Sequence, residues 1–388
     1  MSVRILSICL LVVSILITGC EKSPTQQTST TSGPPSPTAS VAASPLSPRP
    51  TEAEANAQAL TFPILDAFLA DSSFTDTLKN RTQLTDEQIG KLKELAHAET
   101  AKLSETNAGQ TEGETAKARE NAREKVSSLI GGDKTDQLSA VVRELWTGTP
   151  AKSATPAPPV AVTTNPTTPE QFAAMVPNTV PTDSRIVVNT PAFRMDVFEN
   201  GQLIKSYKVG IGYPQFPLPT ALRKAQSIIF NPTWTPPDEP WVSKMKNVAV
   251  GQKVEAGSPL NPLGPIKIPI GAPSLIHGGK PLAKIGTFAS HGCVGLTSPQ
   301  VRDFSKYLAQ IAGNQLTDAA IAKYARDNTQ TKSLKLNREV LVELRYETIV
   351  VEDGKLHIYR DVYDQDTNTE EALRAVLQAY GVKLEDLP

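Results

Sequence analysis

Proline divides this chain into separate segments. Twelve of the 32 prolines are concentrated in two tracts, one between residues 34 and 50 and the other between residues 150 and 169. Proline fixes φ and removes a backbone donor, so such tracts are typical of extended linkers and not of packed cores. We therefore expect a Pro/Ser/Thr-rich tether over residues 20–52 and a linker over residues 148–182, each followed by a folded region.

The first residues predict export. Arg4 precedes an uncharged apolar run from Ile5 to Ile17, which is too short to span a bilayer comfortably and is typical of a secretory signal peptide over residues 1–19. Thr18 and Gly19, directly before Cys20, fit the bacterial lipoprotein signal, which implies cleavage before Cys20 and lipidation of its sulfur. We expect a protein on the periplasmic side of the cell envelope, anchored to a membrane through Cys20. A plain signal peptide with an incidental cysteine is the alternative.

Charge and cysteine content narrow the function further. The chain has 39 basic and 40 acidic residues, so it has no overall field to attract nucleic acid, and no such partner is expected. Of its three cysteines, Cys9 lies in the signal and Cys20 is the lipidation site, which leaves Cys293 alone in the exported body. An unpaired cysteine there is buried and inert, paired between molecules, or reactive. The count alone favours inert burial.

Residues 53–147 are predicted to form a small all-α domain. Apolar residues recur at helical spacing, and Thr85 with Gln88 makes a capping box ahead of Ile89. The segment contains no catalytic combination of residues. Its role as a spacer, a partner-binding module or a wall-binding module stays open.

Residues 183–363 are predicted to be mainly β, with a few helices. Arg185 to Asn189 forms a short apolar strand, and Asn200-Gly201 favours a type I′ hairpin turn. Ser298 as N-cap and Pro299 at the first helical position predict a helix after Cys293. Residues 364–388 are expected to be a helical extension. The pattern indicates an antiparallel-rich sheet or barrel.

Two histidines and the lone cysteine lie close together between residues 271 and 296. A thiolate nucleophile needs a group that accepts its proton, and histidine does this near neutral pH. His277 ends a predicted strand, whereas His291 lies two residues before Cys293. Gly292 and Gly295 would leave the backbone open to a substrate. These residues alone leave catalysis and a packed, structural cysteine equally open.

The order of several motifs is more specific. Ser290-His291-Gly292-Cys293-Val294 and the upstream Ile276-His277-Gly278 together resemble the L,D-transpeptidases with a YkuD-type catalytic domain. Weaker similarities follow the same order along the chain: residues 207–210, 217–220, 231–237, 261–264 and 354–363. The resemblance covers under half of the chain. It implies a β-sandwich or barrel.

The resemblance also implies roles for individual residues. Cys293 would be the nucleophile and His277 the general base and later acid, with the Gly278 carbonyl orienting the imidazole. Ser290, His291 and Gly292 would shape the cysteine loop and, with the Cys293 N–H, an oxyanion and substrate site. No metal or other cofactor is implied.

The implied reaction is acyl transfer on peptidoglycan tetrapeptide stems, with release of D-alanine. The acceptor would be an amine of another stem or of a protein. Transfer to water would make the protein a carboxypeptidase or a hydrolase of wall–protein links. A catalytically silent, wall-binding lipoprotein is the alternative from another class.

Two positions depart from the family pattern. Gly295 stands where many relatives have Arg or Asn after the Cys-Val pair, and Ala221-Leu222 lies where a glycine usually follows the Pro217 to Thr220 segment. Loss of a guanidinium removes a bidentate partner for a carboxylate. We expect these departures to affect substrate preference and to leave the nucleophile and base intact.

Overall fold

The computed structural model describes residues 59–103, 114–148, 165–352, 354–382 and 384. The predicted signal peptide, the tether over residues 20–52 and the lipidation site Cys20 lie outside the described residues, as does the part of the predicted linker from 149 to 164. Among the described residues, no helix is both long and apolar enough to cross a membrane.

The segment before the linker is helical, as predicted. Its helices are α1 (Phe62–Leu69), α2 (Ser72–Thr82), α3 (Asp86–Ala101), α4 (Glu114–Ile130) and α5 (Gly132–Thr147). Thr85 caps α3 with the reciprocal hydrogen bonds of a capping box, Gln88 N to Thr85 Oγ1 and Thr85 N to Gln88 Oε1. Apolar faces of these helices form a core of their own, which includes Leu65, Leu92 and Val126. We call residues 59–148 the helical region.

The rest of the chain is built on an eight-stranded mixed sheet with the order β3-β2-β1-β10-β5-β6-β7-β9. Small two-stranded sheets, β4-β8 and β11-β12, accompany it. The strands are β1 (Arg185–Asn189), β2 (Arg194–Glu199), β3 (Gln202–Lys208), β4 (Ile211–Gly212), β5 (Ala221–Phe230), β6 (Ile266–Pro269), β7 (Leu275–His277), β8 (Phe288–Ser290), β9 (Val294–Gly295), β10 (Lys332–Arg345), β11 (Ile349–Glu352) and β12 (Lys355–Ile358). We call this part the β region.

Local sequence explains the hairpin that starts the sheet. Asn200 and Gly201 both have positive φ, 49° and 80°, as a type I′ turn requires between β2 and β3. The pairs β1·β10 and β7·β9 are parallel, whereas the other pairs of the large sheet are antiparallel. The sheet is therefore antiparallel-rich, as expected, with two parallel pairs.

Helices complete the β region. They are α6 (Pro169–Ala173), α7 (Pro240–Ser243), α8 (Ser298–Ile311), α9 (Asp318–Arg326) and α10 (Glu370–Ala379). The expectation of Ser298 as the N-cap of α8 is wrong. Thr297 is the N-cap, because its hydroxyl accepts from Gln300 N while Gln300 Oε1 accepts from Thr297 N, so that Pro299 falls at the second helical position. Val301 and Phe304 of α8 enter the core of the β region with Ile276 and Val294.

The predicted fold class, a mainly β catalytic region preceded by a small helical region, is confirmed. The helical region and the β region belong to one compact unit and contact each other directly. The boundaries assigned to the separate segments stay predictions.

Candidate active site

A short parallel strand pair brings His277 and Cys293 together. In the β7·β9 pair, Ile276 lies opposite Val294 and His277 opposite Gly295. Cys293 lies in the bend directly before β9, and its thiol receives a backbone hydrogen bond from Leu275 of β7. Leu275 is two residues before His277, so these two residues share a face of β7. His277 and Cys293 are sixteen positions apart in sequence, and the pairing of β7 with β9 brings their stretches of chain together in space.

The imidazole of His277 is buried and held by backbone. Its Nδ1 lies 2.7 Å from the carbonyl oxygen of Gly278, and the backbone of Leu263 accepts a second hydrogen bond from the ring. Burial, and secondly the charge of Lys280, lower the pKa of His277 to about 3. The ring is therefore neutral at pH 7. Because a carbonyl only accepts hydrogen bonds, Nδ1 carries the proton and Nε2 keeps a lone pair.

Close packing explains why glycine occupies position 278. A Cβ there would lie 2.6 Å from Val301 Cγ1 on α8 and 3.1 Å from Pro265 Cδ. The turn at Gly264 packs equally closely, since a Cβ on it would lie 2.4 Å from Gly279 N. The Asn261 to Gly264 motif therefore supports the backbone on both sides of Gly278.

Cys293 lies in a loop that closes on itself. Ser290 Oγ donates to Cys293 O at 2.6 Å and accepts from Cys293 N at 3.0 Å. Gly292 has a φ of 90°, which favours glycine. The Cys293 N–H is thus bonded to Ser290 and not directed at a substrate, which differs from the expectation that it helps to bind an oxyanion.

Burial raises the pKa of the Cys293 thiol. A backbone hydrogen bond at Leu275 and the charge of Lys280 act in the opposite direction, whereas the charge of Glu239 raises the pKa further. With a neutral His277 beside it, the resting site holds a neutral thiol and a neutral imidazole.

His291 is enclosed by aromatic rings. Trp241 stacks on its imidazole with centroids 4.2 Å apart and planes 10° apart, while Phe216 and Tyr213 meet it edge-on at 4.6 Å and 5.4 Å. Burial lowers the pKa of His291 to about 3, with a smaller effect from Lys280. His291 is therefore a neutral, half-buried ring packed among aromatic side chains.

Lys280 occupies the space left by Gly295. A Cβ on Gly295 would lie 2.7 Å from Lys280 Cγ and 3.0 Å from Lys280 Cε. The lysine stem therefore crosses the space that a side chain at position 295 would occupy. Its charge lowers the pKa values of His277, His291 and Cys293, so this cation belongs to the site.

Sequence reasoning missed several residues of this site. Lys280, Trp241, Glu239, Tyr213 and Phe216 come from three separate stretches of chain, and no local pattern places them near Cys293. The aromatic and proline-rich motif at Asn231 to Pro237 could have pointed to Trp241, because it lies directly before the segment that carries this residue. Among the described residues, no three His, Cys, Asp or Glu side chains are grouped as metal ligands.

Similarity to known proteins is limited to part of the chain. A search of curated proteins finds no match. Among solved structures, an Enterococcus faecium L,D-transpeptidase catalytic domain is 15% identical, with a TM-score of 0.27, over 42% of this chain and 97% of that chain. A longer structure of a mutant of the E. faecium enzyme is 13% identical, with a TM-score of 0.26, over 41% of this chain and 49% of that one.

An L,D-transpeptidase from Mycobacterium smegmatis is 15% identical, with a TM-score of 0.24, over 42% of this chain and 59% of that chain. The chain thus spans about half to three fifths of the longer structures that it matches. Residues 183–330, under half of the chain, match the family model of YkuD, the L,D-transpeptidase catalytic domain.

Proposed function

We propose that this protein is a peptidoglycan L,D-transpeptidase that uses Cys293 as nucleophile and His277 as general base and acid. The observation that carries the proposal is the neutral, backbone-held imidazole of His277 on β7, together with the backbone hydrogen bond from Leu275 of the same strand to the thiol of Cys293, the only cysteine among the described residues. The family match over residues 183–330 supports the same chemistry.

The proposed reaction has two acyl transfers. Cys293 gives its proton to His277 Nε2 as the sulfur attacks the carbonyl of the bond between the L-centre and D-alanine in a tetrapeptide stem. The C–N bond then breaks, and the leaving amine of D-alanine takes the proton from His277. A thioester on Cys293 remains.

The second half restores the enzyme. An acceptor amine attacks the thioester, its proton passes to His277, and the C–S bond breaks with return of that proton to the sulfur. The acceptor would be an amine of another stem or of a protein side chain. For the oxyanion we propose the Gly292 N–H as donor, because the Cys293 N–H is bonded to Ser290 Oγ.

Lys280 is proposed to take the role of the missing guanidinium. Its stem lies across Gly295, and its charge acts on Cys293 and both histidines. A stem peptide carries carboxylates, and a lysine contacts a carboxylate as a point charge instead of a bidentate fork. Substrate choice is therefore expected to differ from that of relatives with Arg at this position.

We further propose that Cys20 is lipidated and holds the enzyme on the periplasmic side of a membrane. The apolar run ending at Thr18-Gly19-Cys20 supports this placement. The Pro/Ser/Thr-rich tether would then span the distance between the membrane and the wall.

Product analysis tests the proposed function. The protein is incubated with a disaccharide tetrapeptide, and D-alanine and cross-linked dimer are measured, with Cys293→Ser as control. We expect equal amounts of D-alanine and new cross-links. D-alanine without dimers would make the protein a hydrolase under these conditions, and absence of both would contradict the proposal.

A further inference from the structure

Two loop segments enclose His291, two residues before the proposed nucleophile. Residues 213–216 supply Tyr213 and Phe216, and residues 234–245 supply Trp241. We call them the first and second cradle segments. Both lie outside the β7·β9 pair that carries Cys293 and His277, and both contact the helical region.

Side chains of the helical region bind the main chain of the first cradle segment. Thr61 Oγ1 donates to Gln215 O, and Thr115 Oγ1 donates to Pro214 O, each at 2.9 Å. Gln215 Nε2 returns a hydrogen bond of 2.6 Å to Glu114 Oε2. Both threonines are fully buried. Consecutive carbonyls of this segment therefore depend on donors from α4 and the start of α1.

The first cradle segment is also bonded to the cysteine loop. Gly212, directly before it, pairs with Ser290 in the β4·β8 sheet, and Tyr213 N donates to Ser290 O at 2.9 Å. Ser290 in turn bonds both backbone groups of Cys293. Hydrogen bonds, linked through the main chain of residues 213–214 and through Ser290 itself, thus connect Thr115 with the loop of Cys293.

In the second cradle segment the roles are reversed, because a side chain of this segment donates to the main chain of the helical region. Lys244 Nζ donates to the carbonyls that end α3, at 3.1 Å to Ala101 O and also to Leu103 O. At the other end of α7, Glu239 accepts from Trp241 Nε1 at 2.6 Å, which orients the indole that stacks on His291. Asp66 and His97 of the helical region lie close enough to change the charge environment of Glu239.

A third contact reinforces the first segment. The N-terminus of α4 faces Asp364, whose Oδ2 accepts from Thr115 N at 2.9 Å, and Arg119 donates to Tyr363 O at 2.6 Å. Tyr363 is fully buried, and its hydroxyl donates to Gly212 O at 2.8 Å. Two sets of hydrogen bonds therefore connect the helical region with the first cradle segment. One runs from Thr115 to Pro214, and the other from Arg119 through Tyr363 to Gly212.

We propose that the helical region is a positioning element of the active site: by holding both cradle segments around His291, it keeps the Cys293 loop closed in its reactive conformation. This assigns a role to residues 59–148 beyond that of a spacer or a wall-binding module. The role of the helical region in turnover rests on the proposed function, whereas its effect on the thiol does not.

The thiol itself supplies a readout that is independent of turnover. Burial raises the pKa of Cys293, and the charged or titratable groups around it are Lys280, Glu239, His277 and His291. A loosened loop would expose the half-buried Cys293 further to water, and the pKa of its thiol would fall. Because the thiolate is the form that reacts, the pH profile of alkylation by iodoacetamide reports this pKa.

The experiment uses the full-length protein with one variant for each cradle segment. Thr115→Val removes the hydroxyl that binds Pro214 O, and Lys244→Met removes the donor to α3. Alkylation is followed by peptide mass spectrometry, which separates Cys293 from Cys9 and Cys20, and transfer is followed with a tetrapeptide substrate.

Matched controls separate positioning from general destabilisation. Thr82→Val removes a hydroxyl that is equally buried but bonds only within its own helix, to Leu78 O at 2.7 Å. Lys246→Met removes an exposed lysine of the loop after α7. Thr115→Ser keeps the hydroxyl and should restore the wild-type profile.

We expect Thr115→Val and Lys244→Met each to lower the midpoint of the alkylation profile by about one pH unit, the equivalent of a tenfold change in the thiolate ratio. Transfer should slow by about tenfold, since 1.4 kcal/mol corresponds to that factor. The control variants and Thr115→Ser should match the wild type. The proposal would be overturned if the alkylation profiles of Thr115→Val and Lys244→Met both coincided with those of their controls. This outcome can be read even if the wild-type protein shows no transfer.

Discussion

Lys280 is the charged residue that most directly controls the proposed nucleophile. Its stem fills the space above Gly295, and its charge lowers the pKa of Cys293. Glycine at position 295 is therefore not a simple loss of a side chain. It makes room for a cation that comes from the loop after His277.

Removing this charge should raise the pKa of the thiol. We expect Lys280→Met to move the alkylation profile of Cys293 to higher pH by about one unit, because the thiolate loses a stabilising cation. Gly295→Ala should act in the same direction, since its Cβ would lie 2.7 Å from Lys280 Cγ and displace the lysine. Lys284→Met, in the same loop, is the control. An unchanged midpoint in Lys280→Met would contradict this role.

Asp66 makes a second residue-scale prediction, about stability. Burial first, and then the charge of Asp238, raise the pKa of Asp66 from 3.8 to about 7, and its Oδ2 has no hydrogen-bond partner among the described residues. The folded state thus keeps a proton that the unfolded state releases near pH 4. The stabilisation from this proton is fully present below pH 4 and is lost as the pH rises toward 7.

Asp66→Asn should remove this pH dependence. Between pH 5 and pH 8, the unfolding free energy of the variant should fall by less than that of the wild type, by on the order of 1–2 kcal/mol. Urea unfolding at both pH values measures the difference, and Asp76→Asn, an exposed aspartate of α2, should follow the wild type. Equal pH slopes for Asp66→Asn and the wild type would rule out a raised pKa.

At the scale of elements, the site depends on β7 and β9, which share only two aligned residue pairs. Such a short pair needs support from its neighbours. The capped N-terminus of α8 supplies this support, because Thr297 follows β9 by two residues and Val301 packs against Gly278. The N-cap of α8 therefore supports the β7·β9 pair.

Loss of this cap should weaken the β region. We expect Thr297→Ala to lower the unfolding free energy by about 1 kcal/mol, the usual cost of losing a threonine N-cap. Thr297→Ser, which keeps the acceptor oxygen, should lose much less. Urea denaturation at constant m-value is the measurement, and wild-type stability in Thr297→Ala would show that the cap does not support this region.

Local sequence signals predicted where helices and turns occur better than they predicted how long the elements are. The capping box at Thr85 and the Asn200-Gly201 turn were readable because each depends on neighbouring residues alone. β10 runs from Lys332 to Arg345, although regular alternation of apolar residues begins only at Val340, because its pairing with β5 continues across an irregularity between Lys335 and Val340. Pairing across the sheet set the length, and no local pattern encodes it.

At the scale of the whole molecule, the sequence predicted a helical region and a mainly β region but not their contact. The motifs around His277 and Cys293 were readable because family motifs are local. The cradle around His291 combines residues from 213 to 291 with support from residues 61 to 115, and its contacts exist only in the folded chain. The catalytic roles of the site residues stay predictions.

The proposed tether makes a prediction at this scale. Deleting residues 21–50 should leave transfer on soluble tetrapeptide unchanged, because the active site is built from residues far along the chain. Cross-linking of intact wall by the membrane-bound protein should fall, since a shortened tether limits reach. A tract of equal length rich in Gly and Ser is the control. Equal activity of the deletion variant on both substrates would refute the mechanical role.

The most direct test of the central claim is the detection of the acyl-enzyme. Tetrapeptide substrate and protein are mixed without an added acceptor, quenched in acid, and mapped by peptide mass spectrometry. We predict a stem-peptide thioester on Cys293, formed with release of one D-alanine, absent in Cys293→Ala and formed at least about a hundredfold more slowly in His277→Gln, within the usual contribution of a general base. D-alanine release without a Cys293 adduct, or an unchanged acylation rate in His277→Gln, would contradict the account.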